Sequence, residues 1–140
     1  MERRVSNEIK ALLDKYEDIG EISVSYKKDN SKTVKIKNKT FILPKNYPFD
    51  APKVFINGIL YHTFLKTHSL RILKILHETR QECLCCTTWL CDWTPALNME
   101  TILNEIKDMN NTKRYIKYKL CLDQLKYPKF VSYNILLFLQ

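Results

Sequence analysis

Glycine is almost missing from this chain, with two residues in 140. Loops that wrap a phosphate need several glycines, and neither GxxxxGK[ST] nor GxGxxG occurs, so nucleotide binding is not expected. The chain also lacks an apolar run of the roughly 18 residues that a membrane-spanning helix requires. Met1-Glu2-Arg3-Arg4 leads into a polar segment instead of an apolar signal core, so neither a secretory leader nor a membrane role is expected. Acidic side chains are the scarcer sign: 15 Asp and Glu against 23 Lys and Arg leave a net charge of +8. A basic field attracts polyanions and acidic proteins. Here the basic residues are scattered along the chain rather than gathered in one run, so nucleic acid is only a minor option.

With 45% hydrophobic and 27% charged residues, the composition is that of a globular chain able to bury a core. The length fits one domain, 1–140. Five cysteines, an odd number without a secretory signal, point to a reducing intracellular compartment, cytoplasmic or nuclear. Four of them fall within nine residues, Cys83, Cys85, Cys86 and Cys91. Such clustering suits a nucleophile, a metal site or a redox pair. A composition rich in Lys, Asn and Ile suggests an AT-rich genome of the kind carried by viruses or protists.

Periodicity predicts a helix from Arg3 to Tyr16, with Val5, Ile9, Leu12, Leu13 and Tyr16 on one apolar stripe. Short alternating segments follow at Ile22–Tyr26, Val34–Lys37 and Phe41–Leu43, separated by turn residues, which reads as an antiparallel meander. Tyr47-Pro48-Phe49-Asp50-Ala51-Pro52 is a rigid turn, since each proline fixes its own φ. Lys53–Ile56 is a fourth strand ended by Asn57-Gly58. A short helix capped by Ser69 is expected between Phe64 and Glu78. Asn98 should cap a helix carrying Met99, Ile102, Leu103 and Ile106. Asn110-Asn111-Thr112 should break it, with a third helix from Lys113 to Lys126. The tail 127–140 is strongly apolar.

Three motifs, in order, give this chain its resemblance to the ubiquitin-conjugating enzyme family. Tyr47-Pro48-Phe49-Asp50-Ala51-Pro52-Lys53-Val54 resembles the family's YPFxxPxV turn and fourth strand. Tyr61-His62 stands where the family places its Tyr-His-Pro-Asn segment, and Trp93-Thr94-Pro95-Ala96-Leu97 is similar to its W-S-P-A-L. The resemblance covers about residues 3–126. It implies an α+β fold: an N-terminal helix, a four-stranded antiparallel meander sheet and C-terminal helices. It also implies a cysteine that carries ubiquitin or a ubiquitin-like protein as a thioester, and partners in an activating enzyme, a ubiquitin ligase and a protein substrate. By the same resemblance Arg3, Arg4 and Lys10 of the first helix would meet the activating enzyme. Pro48, Phe49 and Pro52, with Trp93, Pro95 and Ala96, would lie on two adjacent loops that receive ligases.

The departures are specific. His62-Thr63-Phe64 replaces His-Pro-Asn, and a phenyl ring cannot donate a hydrogen bond to a developing oxyanion as asparagine can. His62 itself is expected to be structural. Cys85 lies 23 residues after His62, where the family cysteine lies about ten after its histidine, so 63–82 reads as an insertion beside the active-site position. The family's spacing of eight residues from nucleophile to tryptophan selects Cys85. Cys86 is the alternative nucleophile, since Thr88-Trp89-Leu90 follows it much as an Asp/Ser-Ile-Leu stretch follows the family cysteine. Cys83 puts the tryptophan two residues too far.

Two other readings of the cluster stay open. Cys83, Cys86 and Cys91, with Cys85 or His77 as a fourth ligand, could hold a structural zinc, although the second distant pair that marks a strong zinc signal is missing. The four clustered thiols could also pack as small hydrophobes, and Cys121 in the last helix is expected to be inert. No other cofactor is implied. A chain of this fold without the asparagine could equally be a catalytically inactive binding module.

Overall fold

A computed structural model describes residues 1–63, 74–75 and 88–125. Helix α1 (Glu2–Lys15) is followed by a short 3-10 turn (Glu17–Ile19) and a meander sheet. The strands are β1 (Ile22–Tyr26), β2 (Lys32–Ile36), β3 (Lys39–Leu43), β4 (Lys53–Ile56) and β5 (Ile59–Leu60). Helix α2 (Met99–Gln124) closes the described chain. This is the expected α+β arrangement, with the sheet in the order β1-β2-β3-β4-β5 and every pair antiparallel.

Alternation decides which face of the sheet is buried. Val34 pairs with Phe41, and Phe41 pairs with Val54, so the three side chains share one face. With Ile36 and Leu43 they form the sheet's half of the core. Tight turns set the registers. Between β1 and β2, the Asp29 carboxylate accepts from the Ser31 N–H (3.0 Å) and hydroxyl (2.7 Å), with Asn30 at positive φ. Asn57 and Gly58 both adopt positive φ, at 51° and 79°, the geometry in which a two-residue turn matches strand twist. That turn adds β5, a fifth strand beyond the four the sequence pattern resolved.

α1 buries Val5 and Leu12 against this core, with Ile9 and Tyr16 packed at its margin. Leu13, expected on the apolar stripe, is instead half exposed, and Glu8 occupies the buried position between Val5 and Leu12. Helix α2 contributes Met99, Ile102, Ile106, Met109 and Ile116. It begins where expected: the Asn98 side chain accepts from the Thr101 N–H at 2.9 Å. It does not break at Asn110-Asn111-Thr112, and the two helices expected there are one helix of 26 residues. Asparagine and threonine cost only tenths of a kcal/mol each in a helix. Met109 and Ile116, two turns apart, bury on the same side and outweigh that cost. The Thr112 hydroxyl turns back to the Asp108 carbonyl at 3.2 Å. Among the described residues, no helix is long and apolar enough to cross a membrane.

Candidate functional site

The turn at Tyr47, the start of α2 and the middle of α1 meet at the Glu8 carboxylate. Glu8 is 8% exposed. Its oxygens accept from the Tyr47 hydroxyl (2.9 Å to each) and from the Met99 N–H (2.9 Å), while Arg4 pairs with it from one turn earlier. A buried carboxylate needs this many donors, because its desolvation costs several kcal/mol unless it is paired. Met99 opens α2, so the charge also faces the positive end of a helix. Burial, reinforced by the Glu8 charge, pushes the Tyr47 phenol well above its ordinary range. The Arg4 guanidinium goes on to the carbonyls of Leu97 (3.1 Å) and Pro95 (3.4 Å).

This alters the expectation for the basic residues of α1. Arg3 and Lys10 are exposed and available to a partner, whereas Arg4 is largely committed inside the molecule. At the far end of α1, Lys15 and Tyr16 both bind the Glu100 carboxylate, Tyr16 at 2.9 Å. The Lys15 contact in particular holds the Glu100 carboxyl below its ordinary value. α1 is thus tied to the beginning of α2 at both ends.

The two expected loops are adjacent. The Trp93 indole N–H donates to the Pro48 carbonyl at 2.9 Å, and its ring lies 6.0 Å from the Tyr47 ring. The Tyr47–Pro48 peptide bond is cis. Phe49, Pro95 and Ala96 are exposed on this joint, Phe49 at 76%. Pro48 and Trp93 are half-buried supports. Pro52 is buried beneath the turn, so it shapes the loop and offers no surface of its own. An exposed phenylalanine on a braced turn can receive an apolar group of a protein partner.

The segment between the cysteine cluster and α2 is anchored separately. Thr88 and Trp89 are buried, and the Trp89 N–H donates to Glu105 Oε2 at 3.0 Å. The Trp89 ring stands edge-on to Trp93 with centroids 6.2 Å apart. Burial, above all, raises the Glu105 carboxyl pKa, offset in part by the Trp89 N–H. The same carboxylate acts on Tyr61, whose phenol is pushed up to about 12 by burial and then by the Glu105 charge. Tyr61 is 2% exposed, and its hydroxyl has no hydrogen-bond partner among the described residues. His62 follows it, half-buried in the turn after β5. Sequence reasoning passed over Glu8, Glu105 and Tyr47 as site-building groups. The signal was present in two of them, since each glutamate sits at a helical position flanked by core residues, Val5 and Leu12 or Ile102 and Ile106.

Cys83, Cys85, Cys86 and His77 lie outside the described residues, as do most of the helix expected at 64–78, the 63–82 insertion beyond Thr63 and the apolar tail. Cys91 and Cys121 are exposed. Cys121 lies on the outer side of α2. Among the described residues no group of three or more His, Cys, Asp or Glu is arranged to hold a metal.

The chain matches no curated protein and no solved structure. The family model for the ubiquitin-conjugating enzyme matches residues 22–118, more than half of the chain. That span takes in the whole sheet, the braced turn, the cysteine cluster, Trp93-Thr94-Pro95-Ala96-Leu97 and most of α2. With the turn and the tryptophan loop locked together between α1 and α2, the chain belongs to the ubiquitin-conjugating enzyme family.

Proposed function

We propose that this protein is a conjugating enzyme that receives ubiquitin or a ubiquitin-like protein from an activating enzyme on Cys85 and passes it to a lysine. The observation that carries the reading is the 2.9 Å bond from Trp93 to the Pro48 carbonyl. It supports a joint in which the tryptophan stands eight residues after Cys85 and beside the turn that meets partners. The Cys85 thiolate attacks the modifier's thioester carbonyl on the activating enzyme. A new C–S bond forms, the old one breaks, and the donor thiolate leaves. A lysine amine then attacks the same carbonyl. Its C–N bond forms, Cys85 departs as thiolate, and the amine proton passes to solvent or to a nearby base. Sulfur suits both steps, being a good nucleophile and a good leaving group.

The residues 1–140 are proposed to act as one domain, with 63–82 inserted beside the site and 127–140 an apolar tail. Arg3 and Lys10 are proposed to face the activating enzyme, and Phe49, Pro95 and Ala96 the ligase. The second reading, a binding module of the same fold without catalysis, is favoured by His62-Thr63-Phe64 in place of His-Pro-Asn. A zinc held by Cys83, Cys86, Cys91 and His77 would fit that reading, since it would take up thiols that the reaction needs.

A charging assay with activating enzyme, ATP and ubiquitin, run on reducing and non-reducing gels, tests this. The expected result is a thiol-sensitive adduct that Cys85→Ser converts to a stable ester or abolishes. Loss with Cys86→Ser alone moves the nucleophile by one residue. No adduct on any form, with about one zinc per chain by metal analysis, overturns the enzyme and leaves a binding module.

A further inference from the structure

Glu105 is a half-buried carboxylate on the second turn of α2 that no part of the reaction above uses. Its Oε2 accepts the Trp89 N–H at 3.0 Å, three residues beyond Cys86 and four beyond Cys85. Trp89 is 2% exposed and its ring abuts Trp93, which is in turn fixed to Pro48. The Glu105 charge also acts on Tyr61, the residue before His62. One side chain of α2 therefore holds the chain that follows the cysteine cluster. Asp108, one turn on, is the other charge that acts on it.

We infer that Glu105 is a positioning residue for the thioester reaction: by pinning the backbone at Trp89 to α2, it fixes where the chain leaving the cysteine cluster runs. This rests on the thioester reading above. The reasoning is geometric. A nucleophile reaches its carbonyl only if the chain that carries it is held, and small misplacement costs rate steeply. The Trp89 N–H is a charge-assisted anchor, of the stronger kind. Glu105 acts through the backbone at Trp89, so its effect should fall on turnover and not on recognition of the activating enzyme.

The test is single-turnover charging of the full chain over a range of modifier-loaded activating enzyme. For Glu105→Ala, the maximal rate should fall about tenfold or more, the worth of a lost hydrogen bond to a charged group, with half-saturation within about twofold of wild type. Glu105→Gln keeps an acceptor oxygen and should return the rate to within about threefold. A folded Glu105→Ala protein that charges at the wild-type maximal rate overturns the inference, as does a loss confined to half-saturation. If Glu105→Ala does not fold, Glu105→Asp decides, because it keeps the charge but draws back the oxygen: a severalfold fall is expected, and an unchanged rate overturns the inference. If wild type takes no modifier, the thioester reading fails by itself. Alkylation by iodoacetamide, read by peptide mass, then tests the anchor: the rate at Cys85 relative to Cys121 should change severalfold in the variant, and an unchanged ratio overturns it.

Discussion

Two glutamates serve the same helix in different ways. Glu8 reaches from α1 to the Met99 N–H at the first turn of α2, and Glu105 reaches from α2 back to the Trp89 N–H. Glu8 has a cation and a phenol as well, from Arg4 and Tyr47. Glu105 has no ion pair among the described residues, and burial raises its pKa. A paired and saturated carboxylate acts as a strut whose removal strands several donors at once. A carboxylate without an ion pair among the described residues holds the backbone at Trp89 by one hydrogen bond. The comparison separates the joint around Tyr47 and α1 from the anchor that holds the backbone at Trp89.

The largest effect should come from Glu8→Ala. It leaves the Met99 N–H and Tyr47 hydroxyl without an acceptor and Arg4 without its carboxylate, and should cost about 3–5 kcal/mol in urea unfolding, the range for breaking a buried pair. A loss below about 1 kcal/mol would show that Glu8 is no strut. Trp93→Phe comes next. It removes the bond to Pro48 while keeping an aromatic ring, and should cost about 1–2 kcal/mol by the same measurement, with the Pro48 carbonyl left unpaired.

Glu105→Gln probes the other glutamate through pH. A carboxyl whose folded pKa is raised favours folding when protonated. That contribution is full below the unfolded value, near 4.5, and is lost as pH rises through the higher folded one. Wild-type stability should therefore decline relative to Glu105→Gln as pH climbs out of that window, in paired melts between about pH 4 and 7. A relative gain with rising pH would contradict the assignment. The smallest effect belongs to Tyr61→Phe. It deletes a buried hydroxyl with no partner among the described residues, and should change stability by less than about 0.5 kcal/mol or raise it.

The sheet could be read because its information is local. Ile22, Ser23, Val24 and Ser25 alternate in sequence as they do in space, and Asn57-Gly58 announces its own turn. β5 escaped because Ile59 and Leu60 are too few to show a period. The break expected at Asn110 overrated weak local preferences, since the burial of Met109 and Ile116 is decided by the rest of the fold. The braced joint was legible only as a resemblance. Pro48 and Trp93 are 45 residues apart, and no periodicity links them. Glu8 was opaque for a related reason: a charge within an apolar stripe reads as an interruption until Tyr47, 39 residues away, is seen to donate to it.

The most direct measurement asks which thiol takes the modifier. Charged protein would be quenched in acid, alkylated, released from its modifier, digested and mapped by mass, so that the occupied cysteine is the one that escaped alkylation. Cys85 alone should be protected, with Cys83, Cys86, Cys91 and Cys121 modified. Uniform alkylation of all five thiols, alike with and without activating enzyme and ATP, would contradict the thioester.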